Sequence, residues 1–147
     1  MALNQSLYEQ DFYTWTEEQA QALAQRQVER LDWENLAEEL ADLGNRHYDQ
    51  LESRLMVLVA HLLKWQVQHW KRTNSWRATI RVQRTSLAKL LRRNPGLKSR
   101  LAEAMAESWQ EARDLAIAET DLPDDQFPDS CPFTILEILD SDFWPNS

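Results

Sequence analysis

Apolar residues recur at helical spacing along most of the 147-residue chain. The clearest run follows one face in steps of three or four positions: Leu51, Leu55, Leu58, Leu62 and Trp65. Further apolar side chains between these positions occupy the other directions around the helix axis. A helix that is apolar on all sides is a buried helix. The pattern therefore predicts a central buried helix over residues 51–70.

Capping signals indicate helices before this one. Thr16 and Gln19 have the spacing of a capping box, which predicts a helix that ends near Val28. Asp32 is an N-cap candidate for the amphipathic segment that follows it. Gly44 either ends that helix as a C-cap residue or is a weak point within a longer helix, and the sequence leaves both open.

Two long helices are predicted after the central one. Asn74 or Ser75 is the N-cap candidate for a helix that runs to about Arg93. Asn94-Pro95 then has the pattern of an N-cap followed by proline at the first helical position. The helix that begins there is expected to end near Thr120.

The C-terminal segment has a different character. Three prolines within ten residues favour extended backbone: Pro123, Pro128 and Pro132. Thr134 and Glu137 then form a second capping-box pattern, which predicts a short helix. Because aromatic and aliphatic residues continue to residue 144, we expect this segment to pack on the helices rather than form a free tail.

These patterns predict an all-α fold with one domain over residues 1–147. A bundle of four to five helices, arranged around the central helix, occupies residues 1–120, and residues 121–147 wrap over it. The low content of turn residues, 2 Gly and 5 Pro, argues against an all-β fold. Cys131 is the only cysteine, so the chain forms no internal disulfide. We expect a cytoplasmic protein, since the chain begins without a secretory signal and contains no apolar run of membrane-spanning length.

Charge is strongly segregated along the chain. The formal net charge is −8, yet residues 53–102 contain 12 of the 16 Lys and Arg residues and not one Asp or Glu. The flanking residues hold the other 4 basic residues and all 24 acidic ones. A purely basic middle in an acidic protein needs an explanation, and two interpretations follow.

The first interpretation is structural. Four arginines form a stripe beside the apolar stripe of their helix: Arg77, Arg81, Arg84 and Arg92. The planar guanidinium is suited to pairing with carboxylates of neighbouring helices. The acids expected as partners lie in both flanks: Glu34, Glu38, Glu39, Asp42, Glu103, Glu107 and Glu111. In this interpretation the basic segment is neutralised within the fold.

The second interpretation is an anion-binding face between Lys64 and Arg84. Tryptophans alternate with basic residues there, which is the chemistry that single-stranded nucleic acid requires. The negative charge of the whole chain argues against a nucleic-acid partner, because it repels a polyanion at long range. A small phosphate or an acidic protein is the other anionic partner. The candidate binding residues are His61, Lys64, Trp65, Trp76, Arg77, Arg81 and Arg84.

A third hypothesis places a hydrolase-like or metal site at His61 with nearby Glu residues. The competing interpretation is a core histidine that is hydrogen-bonded to a neighbour. Helical bundles that bind two metal ions supply Glu-x-x-His pairs. No histidine of this chain has a glutamate three positions before it. The sequence therefore identifies no catalytic residue, no metal ligand and no cofactor.

Five motifs occur in an order that resembles a known bacterial family. They are "DFYTWTEEQA" at residues 11–20, "LDWENLAEELADLG" at 31–44, "LMVLVAHLLKWQ" at 55–66, "SWRATIRVQR" at 75–84 and "LPDDQFPDSCPFT" at 122–134. The family is domain of unknown function number twenty-nine. The resemblance implies an all-helical, single-domain, cytoplasmic protein. It implies no activity, so no catalytic residue is transferred to this chain.

The function expected from the sequence is a non-enzymatic interaction or regulatory module. Its partner is expected to be another protein or a second copy of the chain, and no membrane is involved. An anion- or nucleic-acid-binding protein that uses residues 64–84 is the alternative, and an enzyme with His61 at its site comes third.

Overall fold

The computed structural model of the chain describes residues 7–146. Its α-helices are α1 (Phe12–Ala24), α2 (Trp33–Val67), α3 (Asn74–Arg93), α4 (Leu101–Thr120) and α5 (Ile135–Leu139). Residues 7–10 are also helical, and short 3-10 helices cover Val28–Arg30, His69–Lys71, Pro95–Arg100 and Asp124–Gln126. No strand occurs within residues 7–146, so the all-α prediction is confirmed. Residues 1–6 and 147 of the predicted domain lie outside the described residues.

The central helix is longer than its sequence pattern predicts. α2 begins directly after Asp32, the expected N-cap residue, whose carbonyl oxygen accepts a hydrogen bond from the Leu36 N–H (2.9 Å). The helix continues through Gly44, so this glycine does not act as a C-cap. It ends at Val67 rather than at Trp70. Although α2 has 35 residues, no helix in the described part of the chain is long and apolar enough to cross a bilayer.

The predicted start of α1 is wrong by five residues, because the N-cap residue is Asp11 and not Thr16. The carboxylate of Asp11 accepts a hydrogen bond from the Thr14 N–H (3.1 Å), and the helix begins at Phe12. Thr16 lies inside the helix, and its hydroxyl donates back to the Tyr13 carbonyl (2.7 Å). An aspartate caps an N-terminus at least as well as a threonine, so the earlier residue sets the boundary. The helix also ends earlier than expected, at Ala24.

The other boundaries follow the sequence more closely. Thr73 caps α3 by accepting a hydrogen bond from the Trp76 N–H (3.1 Å). It directly precedes Asn74, the first of the two expected N-cap residues. Asn94-Pro95 begins a 3-10 helix that leads into α4, and α4 ends at Thr120 as predicted. The capping box of Thr134 and Glu137 at α5 is confirmed.

The described residues divide into two compact units, one ending at Arg46 and one beginning at His47. In the first unit the buried side chains of Trp15 and Gln19 fix the turn before α2. The Trp15 indole donates to the Asp32 carboxylate (3.0 Å), and Gln19 accepts from the Asp32 N–H (2.8 Å). The single domain over residues 1–147 stays a prediction.

The second unit contains the main hydrophobic core. The leucines of the central pattern are fully buried, as their spacing predicts: Leu51, Leu55, Leu58 and Leu62. α3 and α4 pack around them with Ile80, Leu87, Ala104 and Ala112. Phe127, Phe133 and Ile138 of the C-terminal segment belong to the same core cluster. The C-terminal segment is thus part of this core rather than a free tail.

Gly44 provides a test of the continuous α2 helix. It is exposed, and a β-carbon at this position would meet no heavy atom within 4 Å. We expect Gly44→Ala to raise the free energy of unfolding by about 1 kcal/mol, because alanine loses less backbone entropy than glycine on forming a helix. Urea unfolding followed by circular dichroism measures this value. Gly44→Pro is the opposite control, with a loss of about 3 kcal/mol. A Gly44→Ala variant that is less stable than the wild type would contradict a helical Gly44.

Candidate functional site

Lys64, near the end of α2, is used inside the fold. Its side chain is buried, and its ammonium lies 2.7 Å from the Glu119 carboxylate of α4. The same ammonium lies 4.9 Å from the ring centroid of Trp76 in α3. A buried cation held by a carboxylate and a ring joins three helices and is not available to a ligand.

Trp65 lies among cations of its own chain. Its ring is 6% exposed and lies 4.9 Å from the Arg72 guanidinium carbon and 5.4 Å from that of Arg77. The Trp144 ring is its other neighbour, with 4.7 Å between ring centroids. Arg72 also donates to the Trp65 carbonyl (2.8 Å). Trp65 and Trp76, two of the tryptophans that alternate with basic residues in the sequence, are therefore packed within the fold, whereas Trp70 is exposed.

Arg84 attaches the C-terminal segment to α3. Its Nε donates to the Ile138 carbonyl (2.8 Å) and its Nη2 to the Glu137 carbonyl (3.2 Å). These carbonyls belong to the last turn of α5, the end of a helix that favours a cation. The side chain is 5% exposed, and burial lowers the pKa of its guanidinium. Its Nη1 is also buried and has no hydrogen-bond partner within the described residues.

The sequence predicted that the arginine stripe of α3 pairs with acids of neighbouring helices, and this prediction is wrong. The stripe consists of Arg77, Arg81, Arg84 and Arg92. Within residues 7–146 the side-chain ion pairs are Lys64–Glu119, Arg100–Glu103 and Arg113–Asp129. Arg77 and Arg81 are exposed, and Arg81 lies 6.0 Å from the Trp144 ring. Carbonyl oxygens and aromatic rings, which are uncharged, replace the expected carboxylates. The positive charge along α3 is thus not neutralised by direct pairing.

A groove beside Arg81 and Arg84 brings α3 next to the C-terminal segment. We call it the α3–α5 groove; its volume is about 640 Å³. The residues that line it are Arg81, Arg84, Thr85, Ala88, Lys89, Arg92, Leu139, Ser141 and Asp142. Four cationic side chains therefore face one carboxylate. Of these cations, Arg84 is fixed by α5, whereas Arg81, Lys89 and Arg92 are exposed.

His61 is held by its own helix. Its Nδ1 donates to the Val57 carbonyl (2.8 Å), and burial lowers the pKa of the imidazole. Within residues 7–146 no group of three or more His, Cys, Asp or Glu side chains is arranged to hold a metal ion. The described residues thus give a metal site at His61 no geometric support, and the hydrolase-like site stays a hypothesis.

An acidic cluster combines residues from both flanks of the basic segment: Glu52 precedes that segment, and Glu103 and Glu107 follow it. Burial, with the adjacent carboxyl of Glu107, raises the pKa of Glu52 to about 7. Burial also raises the pKa of Tyr48 to about 12, and the Arg100 guanidinium carbon lies 3.7 Å from the Tyr48 ring centroid. Glu103, which pairs with Arg100, has a lowered pKa. Neighbouring carboxyls in this cluster thus have pKa shifts of opposite sign.

The sequence predicts only part of the groove. Arg81 and Arg84 are among the predicted binding residues, and Arg92 lies on the same predicted stripe without being one of them. Lys89 is missed, although it follows Arg81 by two helical turns and so borders the same face. The path of the C-terminal segment places Leu139, Ser141 and Asp142 in the groove, and helical periodicity carries no information about that path.

The family model described as Domain of unknown function DUF29 matches residues 7–144. No curated protein and no solved structure matches the chain. The resemblance carried by the five sequence motifs is confirmed over nearly the whole chain. The description names no activity, so the function is argued from the geometry of the groove.

The clamp formed by Arg84 can be tested with Arg84→Met. Methionine keeps the apolar stem but leaves two carbonyl oxygens of α5 without their charged donor. We expect the free energy of unfolding to fall by about 2–3 kcal/mol, and the C-terminal segment to become sensitive to limited proteolysis. Arg81→Met, on the exposed side of the same helix, is the matched control and should change stability by less than about 0.5 kcal/mol. Equal stabilities for the two variants would contradict the clamp.

Glu52 should make stability depend on pH. Its folded-state pKa of about 7 exceeds the ordinary value of 4.5. The stability gained from binding the proton is complete below the ordinary value and is lost as pH rises through 7. Glu52→Gln has no carboxyl to ionise, so it should be more stable than the wild type at about pH 8, an advantage that shrinks toward about pH 5. Melting temperatures at both pH values measure this.

Glu103→Gln is the control of opposite sign. Arg100 lowers the pKa of Glu103, so its contribution is present at high pH and is lost on acidification. Glu103→Gln should therefore be less stable than the wild type at about pH 8. A Glu52→Gln variant that behaves in the same way as Glu103→Gln would contradict the assigned pKa of Glu52.

Proposed function

Because the chain belongs to the DUF29 family and the family description names no activity, we propose a function from geometry: a non-enzymatic module that binds an acidic segment of a partner protein in the α3–α5 groove. One observation carries this proposal. Arg81, Lys89 and Arg92 are exposed around a groove, and none of them takes part in an ion pair within residues 7–146.

Charge complementarity supports an anionic partner. Four cations and one carboxylate line the groove, so its local charge is opposite to that of the whole chain. Exposed ion pairs each add about 0.2–1 kcal/mol. Several such ion pairs mainly raise the association rate and select against cationic partners. Their effect on affinity is smaller.

An acidic protein segment fits this surface better than nucleic acid does. Bases bind single-strand proteins by stacking on exposed aromatic rings. Trp65 is buried, and the half-buried Trp76 already has the Lys64 ammonium against its ring. Trp70 is exposed, but within residues 7–146 neither it nor any other aromatic side chain lines the α3–α5 groove. In addition, the acidic flanks of the chain repel a long polyanion. A short segment with a few carboxylates experiences mainly the local charge of the groove, because solution salt screens more distant charges.

The size and lining of the groove suit a segment that also carries apolar side chains. Its volume of about 640 Å³ is within the range of roughly 300–1,000 Å³ that is typical of binding pockets. Ala88 and the half-buried Leu139 provide apolar surface between the cations. The lining contains hydroxyls and one carboxylate but no histidine or cysteine, which favours binding over catalysis.

The proposal includes a cytoplasmic location. Cys131 is the only cysteine of the chain, and burial raises the pKa of its thiol. A protein that contains one unreactive thiol and no disulfide is typical of a reducing compartment.

A peptide titration tests the proposed partner. The probe is a fluorescent peptide in which glutamates alternate with leucines, and fluorescence anisotropy follows its binding at low and moderate salt. We expect binding that weakens with added salt and weakens at least about tenfold, or 1.4 kcal/mol, in Arg81→Glu/Arg92→Glu. Arg77→Glu is the matched control, because Arg77 is an exposed arginine of the same helix that does not line this groove.

Three results would contradict or redirect the proposal. Equal binding by wild type and the Arg81→Glu/Arg92→Glu variant would exclude the groove. Tighter binding of a single-stranded oligonucleotide than of the peptide would favour a nucleic-acid partner. Dimerisation of the protein alone, measured by sedimentation and lost in the same variant, would replace the partner protein with a second copy of the chain.

A further inference from the structure

A second basic groove lies in the unit that begins at His47. It runs between the middle of α2 and the C-terminal half of α3, and we call it the α2–α3 groove. Its volume is about 260 Å³. The residues that line it are His47, Gln50, Arg54, Ser86, Lys89, Leu90, Arg93 and Asn94. No carboxylate is among them, in contrast to the α3–α5 groove.

The cations of this groove are held without counter-charges. Arg54 is half-buried, and its Nη1 donates to the Gln83 side-chain oxygen (3.2 Å), which is uncharged. Lys89 and Arg93 are exposed and contribute from α3. None of the three belongs to an ion pair within residues 7–146. Two helices therefore present three full positive charges, and the His47 imidazole, to one small space.

At the end of α3, the carbonyl of one groove-lining residue accepts two hydrogen bonds. The C-terminal carbonyls of a helix carry partial negative charge. Here the Leu90 carbonyl accepts both the Asn94 N–H (2.9 Å) and the Asn94 side-chain amide (3.1 Å). The two donors offset the partial negative charge of this carbonyl. The positive charges of the nearby cations therefore dominate the electrostatic potential in the groove.

We propose that the α2–α3 groove binds a phosphate dianion, either free or as a monoester. The guanidinium groups of Arg54 and Arg93 offer paired donors that match phosphate oxygens, and Lys89 supplies a third charge. Ser86 provides a hydroxyl, and Gln50 and Asn94 provide carboxamide groups, for the remaining oxygens. This site goes beyond the proposed protein partner, since only Lys89 lines both grooves.

Size and charge select this class of ligand. A volume of about 260 Å³ falls below the range of roughly 300–1,000 Å³ typical of drug-sized ligands, so a single phosphate group with a small substituent suits it. Three converging positive charges attract a phosphate dianion more strongly than they attract a single carboxylate, which carries one negative charge. The absence of aromatic side chains from the lining gives no surface for a base to stack on, which argues against a nucleotide.

Isothermal titration calorimetry tests the site, with inorganic phosphate and phenyl phosphate as probes in a chloride buffer at neutral pH. We expect saturable binding that is at least about tenfold weaker in Arg93→Gln. Arg77→Gln is the matched control, because Arg77 is also an exposed arginine of α3 but lines neither groove. Tighter binding of the ester assigns the site to phosphorylated small molecules, and tighter binding of inorganic phosphate assigns it to the free ion; either result supports it.

Arg54→Gln provides the second variant, from the opposite wall of the groove. Because the Arg54 side chain also donates a hydrogen bond to Gln83, the thermal unfolding of the Arg54→Gln variant in chloride is measured first, to establish that the variant folds. Phosphate should raise the melting temperature of the wild type and of Arg77→Gln, but not that of Arg54→Gln or Arg93→Gln. Equal binding by Arg77→Gln and Arg93→Gln, or no saturable heat with either probe, would overturn the proposal. Neither result affects the α3–α5 groove, whose peptide titration is independent.

Discussion

The buried guanidinium of Arg84 is the interaction on which the rest of the basic face depends. It donates from α3 to two carbonyls at the end of α5, in an environment where burial opposes its charge. A buried guanidinium without hydrogen-bond acceptors around it would cost several kcal/mol. Carbonyls at a helix C-terminus meet this requirement without adding a full negative charge. The clamp thereby attaches the C-terminal segment and creates the α3–α5 groove while leaving the positive charge of α3 uncompensated.

The same principle applies throughout the basic segment. Arg72 donates to a backbone carbonyl, Arg81 lies near an indole ring, and Arg54 donates to a carboxamide. Lys64 and Arg100 are the exceptions, with carboxylates at 2.7 Å and 2.9 Å, and Lys64 is also the cation buried between three helices. Neutral acceptors orient a cation without cancelling its field. The fold therefore displays positive charge on two grooves beside α3, and we propose a different anion for each.

Helical periodicity predicted the central helix, the capping box of α5 and the end of α4, because these depend on local spacing and on burial around a single axis. The prediction of where α1 starts was wrong because Asp11 and Thr16 can both cap a helix, and Asp11 is the residue that does so. The arginine pairing failed for a different reason. The charge balance of the sequence counts acidic and basic residues, but it contains no information about backbone carbonyls and aromatic rings. In this fold the arginines contact those uncharged groups instead of carboxylates. Lys89 and the C-terminal lining of the groove depend on the path of a proline-rich segment that no periodicity encodes.

Hydrogen exchange of the arginine side-chain Nε–H groups, followed by NMR, tests the central claim most directly. Arg84 is buried and bonded to the Ile138 carbonyl, whereas Arg81 and Arg92 are exposed at the same helix face. The account predicts slow exchange for the Arg84 Nε–H and fast exchange for Arg81 and Arg92. Slow exchange at Arg81 and Arg92 would mean that acids of the fold hold them, and fast exchange at Arg84 would mean that the clamp does not form; either result would contradict the account.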